Sequence, residues 1–268
     1  MDYIVLDIEF NGRKFASELP MEVIEIGAVR LNSELRQTDE FSALIKPVYF
    51  SKLNSFIKKK TGIPQEDIDR ASGFKKVIAD FIAWLGRSEE EILLLTWGGE
   101  DLKRIVYDTR MHKLDDSFWM SAYYFDLLKG YLRYKNVTND VSVEAALQDL
   151  EITSEGTAHR ALDDARMTAD VFRAVFQDLD FERKQLYKDT YTNAKERRMV
   201  KNAVRTLMAQ KTAPTWELFH DKYLKDKVVL TDLRKIVELR ECFDAELVKA
   251  QQKPQKAPAA AADSVTAN

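Results

Sequence analysis

Asp7 and Glu9 lie two residues apart in the apolar run YIVLDIE, residues 3–9. In an extended strand, positions i and i+2 face the same side. The two carboxylates therefore stand side by side on a strand whose other members, Ile4, Val5 and Leu6, are apolar. Two acids at the end of a central strand are costly unless a cation compensates them. A cluster of oxygen ligands selects hard divalent ions, magnesium or manganese. The plain alternative is a solvated pair on an edge strand.

Two further segments carry the same chemistry. Thr96-Trp97-Gly98-Gly99-Glu100-Asp101 follows an apolar strand and opens a helix. Acids in a first helical turn are stabilised by the helix N-terminus, so capping explains them equally well in isolation. The same place, beyond the C-terminal end of a strand, is where ligands bind in α/β sheets. His159-Arg160-Ala161-Leu162-Asp163-Asp164 enters a strongly helical stretch after Gly156. Taken singly, His159 reads as a surface histidine and Asp163 and Asp164 as first-turn acids. Taken together, the order Asp-X-Glu, Asp, His-X4-Asp points to one site built from three segments.

The elements that must position these residues alternate in type. Residues 3–9, 22–31 and 38–46 read as three successive strands joined by polar turns. Residues 73–85 place Phe74, Val77, Ile78, Phe81 and Leu85 at helical spacing. Residues 92–96 read as a buried parallel strand, 100–111 as a helix and 120–127 as one more strand. Residues 141–150 read as a short helix with Ser142 at its N-cap, and 160–178 as a long one. A meander followed by alternating strands and helices predicts an α/β fold with a mixed five-stranded sheet flanked by helices.

Composition bounds the rest. The chain has 268 residues, of which 45% are hydrophobic, so it can bury a core. It has no run of apolar residues long enough for a transmembrane helix, and its start lacks a secretory pattern. A single cysteine, Cys242, excludes an intrachain disulfide and a cysteine-based zinc site. A cytoplasmic protein is expected. The net charge of −3 divides into −9 over residues 1–180 and +7 over residues 181–256. The expected organisation is a catalytic body, 1–180, a basic helical extension, 181–250, and a disordered tail, 251–268. A second helix is expected at 230–250, capped near Thr231 or Asp232.

The five charged positions resemble the DEDDh family of 3′–5′ exonucleases, in the proofreading exonuclease and RNase T superfamily. Asp7 and Glu9 match its first motif, Asp101 its second-motif acid, and His159 and Asp164 its His-X4-Asp motif. Met21 to Ala28 is similar to the family's second strand, and Thr61-Gly62-Ile63 to its Thr-Gly-Ile turn. The nearest branch is that of the Eri-type exoribonucleases and bacterial KapD-like proteins, and the resemblance spans about residues 1–180. It implies a ribonuclease H-like fold and two divalent ions, Mg or Mn, held by Asp7, Glu9, Asp101 and Asp164. His159 would act as general base, and nucleoside 5′-monophosphates would leave from single-stranded 3′ ends.

RNA is the favoured substrate, from the branch resembled. A DNA exonuclease, or a catalytically weak regulatory nucleic-acid-binding protein of the same fold, are the alternatives. Phe56 is a candidate for stacking on the terminal base, or else a core residue. Phe10 and Asn11 are candidates for backbone contacts to the terminal sugar, and Trp97 for the base pocket. Two positions depart from the family. Glu100 stands where Eri-type enzymes carry an aromatic, and Phe10 where many members carry Thr or Ala. Nine basic residues against three acids over 181–211 suggest a backbone-binding surface, or simply a solvated face. Trp216, Phe219 and Tyr223 are expected to pack the extension.

Overall fold

The structure, a computed structural model, describes residues 1–11, 21–153, 159–225 and 233–252. The expected loop at Gly156, the cap at Thr231 or Asp232 and the tail beyond Gln252 lie outside these residues. The described residues divide into two compact units, the first ending at Lys188 and the second starting at Asp189.

The first unit begins with β1 (Asp2–Asn11), β2 (Glu22–Leu31) and β3 (Gln37–Lys46). These are followed by α1 (Ser55–Thr61), α2 (Gln65–Arg70), β4 (Ser72–Gly73), α3 (Phe74–Leu85) and β5 (Ile92–Thr96). Next come α4 (Glu100–Met111), α5 (Ser117–Ser121), β6 (Tyr123–Asp126) and α6 (Leu127–Tyr134). The unit closes with α7 (Val143–Asp149), α8 (Ala161–Val175) and β7 (Gln185–Leu186).

Among the described residues the sheet has seven strands, ordered β4-β3-β2-β1-β5-β6-β7. β1, β2 and β3 form the expected antiparallel meander, and β5 and β6 run parallel to β1. The five expected strands are present. The other two, β4 and β7, are two-residue edge strands, too short to leave a periodic trace. Ser142 caps α7 as expected, its side chain accepting from the Ala145 N–H.

The two faces of β1 divide the core. Ile4, Leu6 and Ile8 join Phe74, Phe81, Trp84, Leu102, Ile105 and Trp119 under α3, α4 and α5. Val5 joins Ala165, Ala169 and Phe172 of α8 on the other face. Alternation then puts Asp7 and Glu9 on the α8 face, past the last apolar residue. The approach of α8 is close because Gly27 lies beneath its start. A Cβ on Gly27 would sit 2.1 Å from the Ala161 carbonyl carbon and the Leu162 nitrogen.

This unit runs past the expected boundary at residue 180. Phe181 packs against Phe125 and Phe176, both with ring centroids 5.3 Å away. β7 then pairs with β6.

The second unit contains α9 (Ala194–Ala209), α10 (Trp216–Phe219) and α11 (Leu233–Gln252). A capping box of Asn193 and Glu196 starts α9. Its core joins Val200, Val204, Leu207, Phe219, Leu239 and Phe243, with Trp216 and Tyr223 packed against it. The three aromatics expected to pack do so, with Phe219 stacked on Phe243 at 5.2 Å. Among the described residues no helix is long and apolar enough to cross a membrane.

Candidate active site

Three chain segments meet at the C-terminal end of β1. The parallel pairing of β1 and β5, with Val5 beside Leu95, brings the ends of the two strands together. Gly98, at φ 99°, then turns the chain into α4, whose first turn carries Glu100 and Asp101. From the other side comes the start of α8. His159 has φ 69°, a left-handed conformation unusual for a residue with a side chain. Its backbone N–H donates to both oxygens of Asp164, at 3.1 and 3.3 Å. Glu9, His159 and Asp164 each offer one ligand atom, and these lie within 4.8 Å of one another.

A half-buried ion pair fixes this junction. Glu25 of β2 is 1% exposed and stands opposite Glu9 in the ladder. Its carboxylate accepts from Arg160 Nη2 at 2.8 Å and Nε at 3.1 Å, and from the Ala161 N–H at 3.2 Å. The guanidinium thus clamps the residue beside His159 onto the sheet, in the forked geometry arginine favours.

Burial and mutual repulsion dominate the electrostatics of these acids. Burial, then Asp101, Asp164 and Glu9, push Asp7 well above the usual carboxylate range. Burial raises Glu9 to about 7, against the pull of Lys60. Asp101 is raised to about 8, by burial and then by Glu100. Asp164 is raised chiefly by burial, opposed by the His159 N–H. Four acids that resist ionisation when buried together are relieved by a divalent ion, which returns them to the charged form. Their donors are all oxygen, which fits Mg²⁺ or Mn²⁺ rather than a soft metal.

The residues expected around the substrate separate here. Phe56 is 70% exposed on α1, so it is not a core residue. Phe10 turns away from Glu9, to the opposite face of β1, where Arg104 lies 5.2 Å above its ring. The Asn11 side chain is spent on structure. It donates to the Phe50 and Lys52 carbonyls and accepts from the Asn54 N–H. Trp97 packs against Tyr131 and donates its indole N–H to the Val141 carbonyl at 2.9 Å.

The sequence reading missed the Glu25–Arg160 clamp, Lys60 and Glu144, whose carboxylate senses both His159 and Lys60. Glu25 left a trace, a charge inside a strand of uniformly buried residues. Lys60 left none, because it sits in a run of three lysines.

Comparison with known proteins gives the family and the fold. The family model described as exonuclease (RNase_T) matches residues 4–172. The chain is 28% identical over 192 residues to the probable 3′-5′ exonuclease KapD of Bacillus subtilis, covering 66% of this chain and 86% of that protein. It spans less of the animal exoribonucleases it matches, 54% of mouse 3′-5′ exoribonuclease 1 for example. Among solved structures, the nuclease domain of 3′hExo, a DEDDh family member bound to rAMP, superposes with TM-score 0.62 at 23% identity. The match covers 70% of this chain and 97% of that one. The Mg²⁺- and Mn²⁺-bound form of S. pombe Pop2p superposes with TM-score 0.53 at 18% identity, over 69% and 89% of the two chains.

Proposed function

The chain belongs to the exonuclease family, and from that premise we propose that it is a metal-dependent 3′–5′ exoribonuclease releasing nucleoside 5′-monophosphates. The observation that carries the reading is the convergence of Asp7, Glu9, Asp101, His159 and Asp164 from three separate segments. Asp7, Glu9, Asp101 and Asp164 would hold two divalent ions. Such ions supply a water of lowered pKa and a counter-charge for the phosphate. His159 takes the proton of the attacking water as general base. The Arg160–Glu25 clamp keeps that histidine beside Glu9 and Asp164.

Single-stranded 3′ ends suit the exposed Phe56, since stacking on an aromatic tolerates any base. RNA is favoured because the relatives named above include exoribonucleases. The distinction from DNA rests on contacts to the 2′-hydroxyl. In the second unit, Lys195, Arg198, Lys201 and Arg205 of α9 are exposed, on the side away from its core. They would follow a nucleic-acid backbone, with salt-sensitive binding. The single cysteine suits a reducing, cytoplasmic setting.

The test is a ladder assay on 5′-labelled single- and double-stranded RNA and DNA with Mn²⁺. The expected result is stepwise shortening of single-stranded RNA from its 3′ end. Asp7→Ala and His159→Ala should each abolish most mononucleotide release. Release by both variants at the wild-type rate would refute the site.

A further inference from the structure

The ends of β1 and β2 hold one loop in place. Asn11 and Glu22 are partners in the ladder, and each is 1% exposed. Glu22 turns its carboxylate to three successive backbone N–H groups. It accepts from Val48 at 2.6 Å, Tyr49 at 3.0 Å and Phe50 at 2.8 Å. Asn11 binds the Phe50 and Lys52 carbonyls and the Asn54 N–H. Gln65 of α2 donates to the Ser51 carbonyl and accepts from the Leu53 N–H, both at 2.8 Å. Every residue from Val48 to Asn54 thus has its backbone bonded to a side chain of another element.

The loop so fixed turns apolar side chains to solvent. Val48 is 63% exposed, Tyr49 47%, and Phe56, in the first turn of α1, 70%. A cluster of exposed apolar groups on a rigid backbone is a preorganised binding face, since its ordering is already complete on folding. Charge selects the occupant. Residues 46–65 carry five lysines and neither aspartate nor glutamate, inside a body, 1–180, of net charge −9. Lys52, Lys58, Lys59 and Lys60 are exposed. Cations interleaved with exposed aromatic rings fit a single-stranded nucleic acid, whose bases stack and whose phosphates attract cations. Asn11 lies two residues past Glu9 on the same strand, so the loop is anchored beside the acids.

We propose that the loop 48–54 is a platform for the RNA strand behind its 3′ end. Tyr49 stacks on a base 5′ of the terminal nucleotide, and Lys52 pairs with a neighbouring phosphate. This deepens the exonuclease reading above and rests on it for the position of the 3′ end. With Phe56 on the terminal base, the two rings hold successive parts of one strand.

The test compares Tyr49→Ala, Tyr49→Phe and Lys52→Met with wild type and with Tyr123→Ala. The Tyr123 ring is also 47% exposed but lies at the start of β6, the end of the sheet away from the acids. Each is assayed for mononucleotide release from unstructured RNA with Mn²⁺, and for inhibition by a nucleoside 5′-monophosphate, which fills the terminal-nucleotide position alone. Tyr49→Ala should raise KM for the RNA about tenfold, while kcat, inhibition by the monophosphate and melting temperature hold. Tyr49→Phe and Tyr123→Ala should match wild type. Lys52→Met should raise KM and lower the dependence of log KM on log salt. A KM for Tyr49→Ala within about twofold of wild type would overturn the proposal and leave the face to a protein or a second copy of this chain. An equal loss of inhibition by the monophosphate would also overturn it, since the ring would then serve the terminal nucleotide. Anisotropy of labelled RNA, measured with a chelator present, reads the same surface without catalysis. A wild-type protein that binds RNA through Tyr49 yet releases no mononucleotide would uphold the platform and refute the exonuclease reading.

Discussion

Glu9 and Glu25 stand directly opposite each other on β1 and β2, and among the described residues Arg160 pairs with Glu25 alone. Two carboxylates so placed have separate duties. Glu25 is a structural anion, closed off by the arginine that precedes α8. Glu9 makes no ion pair among the described residues, and burial raises its pKa to about 7 against the pull of Lys60. The sheet thus uses one glutamate to hold the helix and leaves the other without an ion-pair partner among the described residues.

The clamp should be measurable. Arg160→Met leaves Glu25 buried without its partner. Loss of one partner of a fully buried pair costs about 3–5 kcal/mol. The Arg160 side chain is 39% exposed, so about 2–3 kcal/mol is expected by urea unfolding. Turnover should fall further than stability implies, because the segment carrying His159 loses its anchor.

Gly27→Ala tests the close approach of α8. The new Cβ would meet backbone atoms of Ala161 and Leu162 at 2.1 Å, which cannot rotate away. Overpacking of this kind costs about 1–3 kcal/mol. Displacing His159 and Asp164 by about 1 Å should reduce kcat about a hundredfold. Thermal unfolding and single-turnover rates separate the two effects.

The acids predict an unusual pH dependence. A carboxylate whose folded pKa is raised binds more protons folded than unfolded, so stability falls as pH rises between the two values. Glu9 moves from 4.5 to about 7 and Asp101 from 3.8 to about 8. The metal-free protein should therefore lose stability from about pH 4 to about pH 8. Mg²⁺ or Mn²⁺ should offset part of the decline, adding about 2.7 kcal/mol at a hundred times Kd. Calorimetry at pH 7 in two buffers should show proton release on metal binding. Asp101→Asn should stabilise the metal-free protein at pH 8 while abolishing turnover.

Phe56→Ala should separate binding from folding. The ring is 70% exposed, so its removal should shift the melting temperature little. Stacking on a base is worth about 1–3 kcal/mol, which predicts a KM raised about tenfold on single-stranded RNA. An unchanged KM would remove Phe56 from the site.

Much of this architecture was legible in the residues because it is locally encoded. The two-residue period of an extended strand tells which way side chains face, so the sequence alone sets Asp7 and Glu9 side by side. Helical spacing marked α3, α4 and α8, and Ser142 marked its own helix start. The edge strands β4 and β7 and the short helices α1, α2 and α6 escaped, because a turn or two has no period to detect. The boundary at 180 fell short because Phe181 joins a core that only the folded chain assembles.

By itself the sequence determined the ligand types, their order and the face each occupies within its own element. Only the tertiary structure decided that Asp101 comes near Asp7 and that Arg160 closes on Glu25. It also turned Trp97 and the Asn11 side chain into scaffold and left Phe56 facing solvent. The reason is physical. The direction of a side chain follows from backbone period, a property of a few neighbouring residues. The meeting of charges distant in sequence depends on strand register, on the approach that Gly27 permits, and on which cations the packing leaves uncommitted.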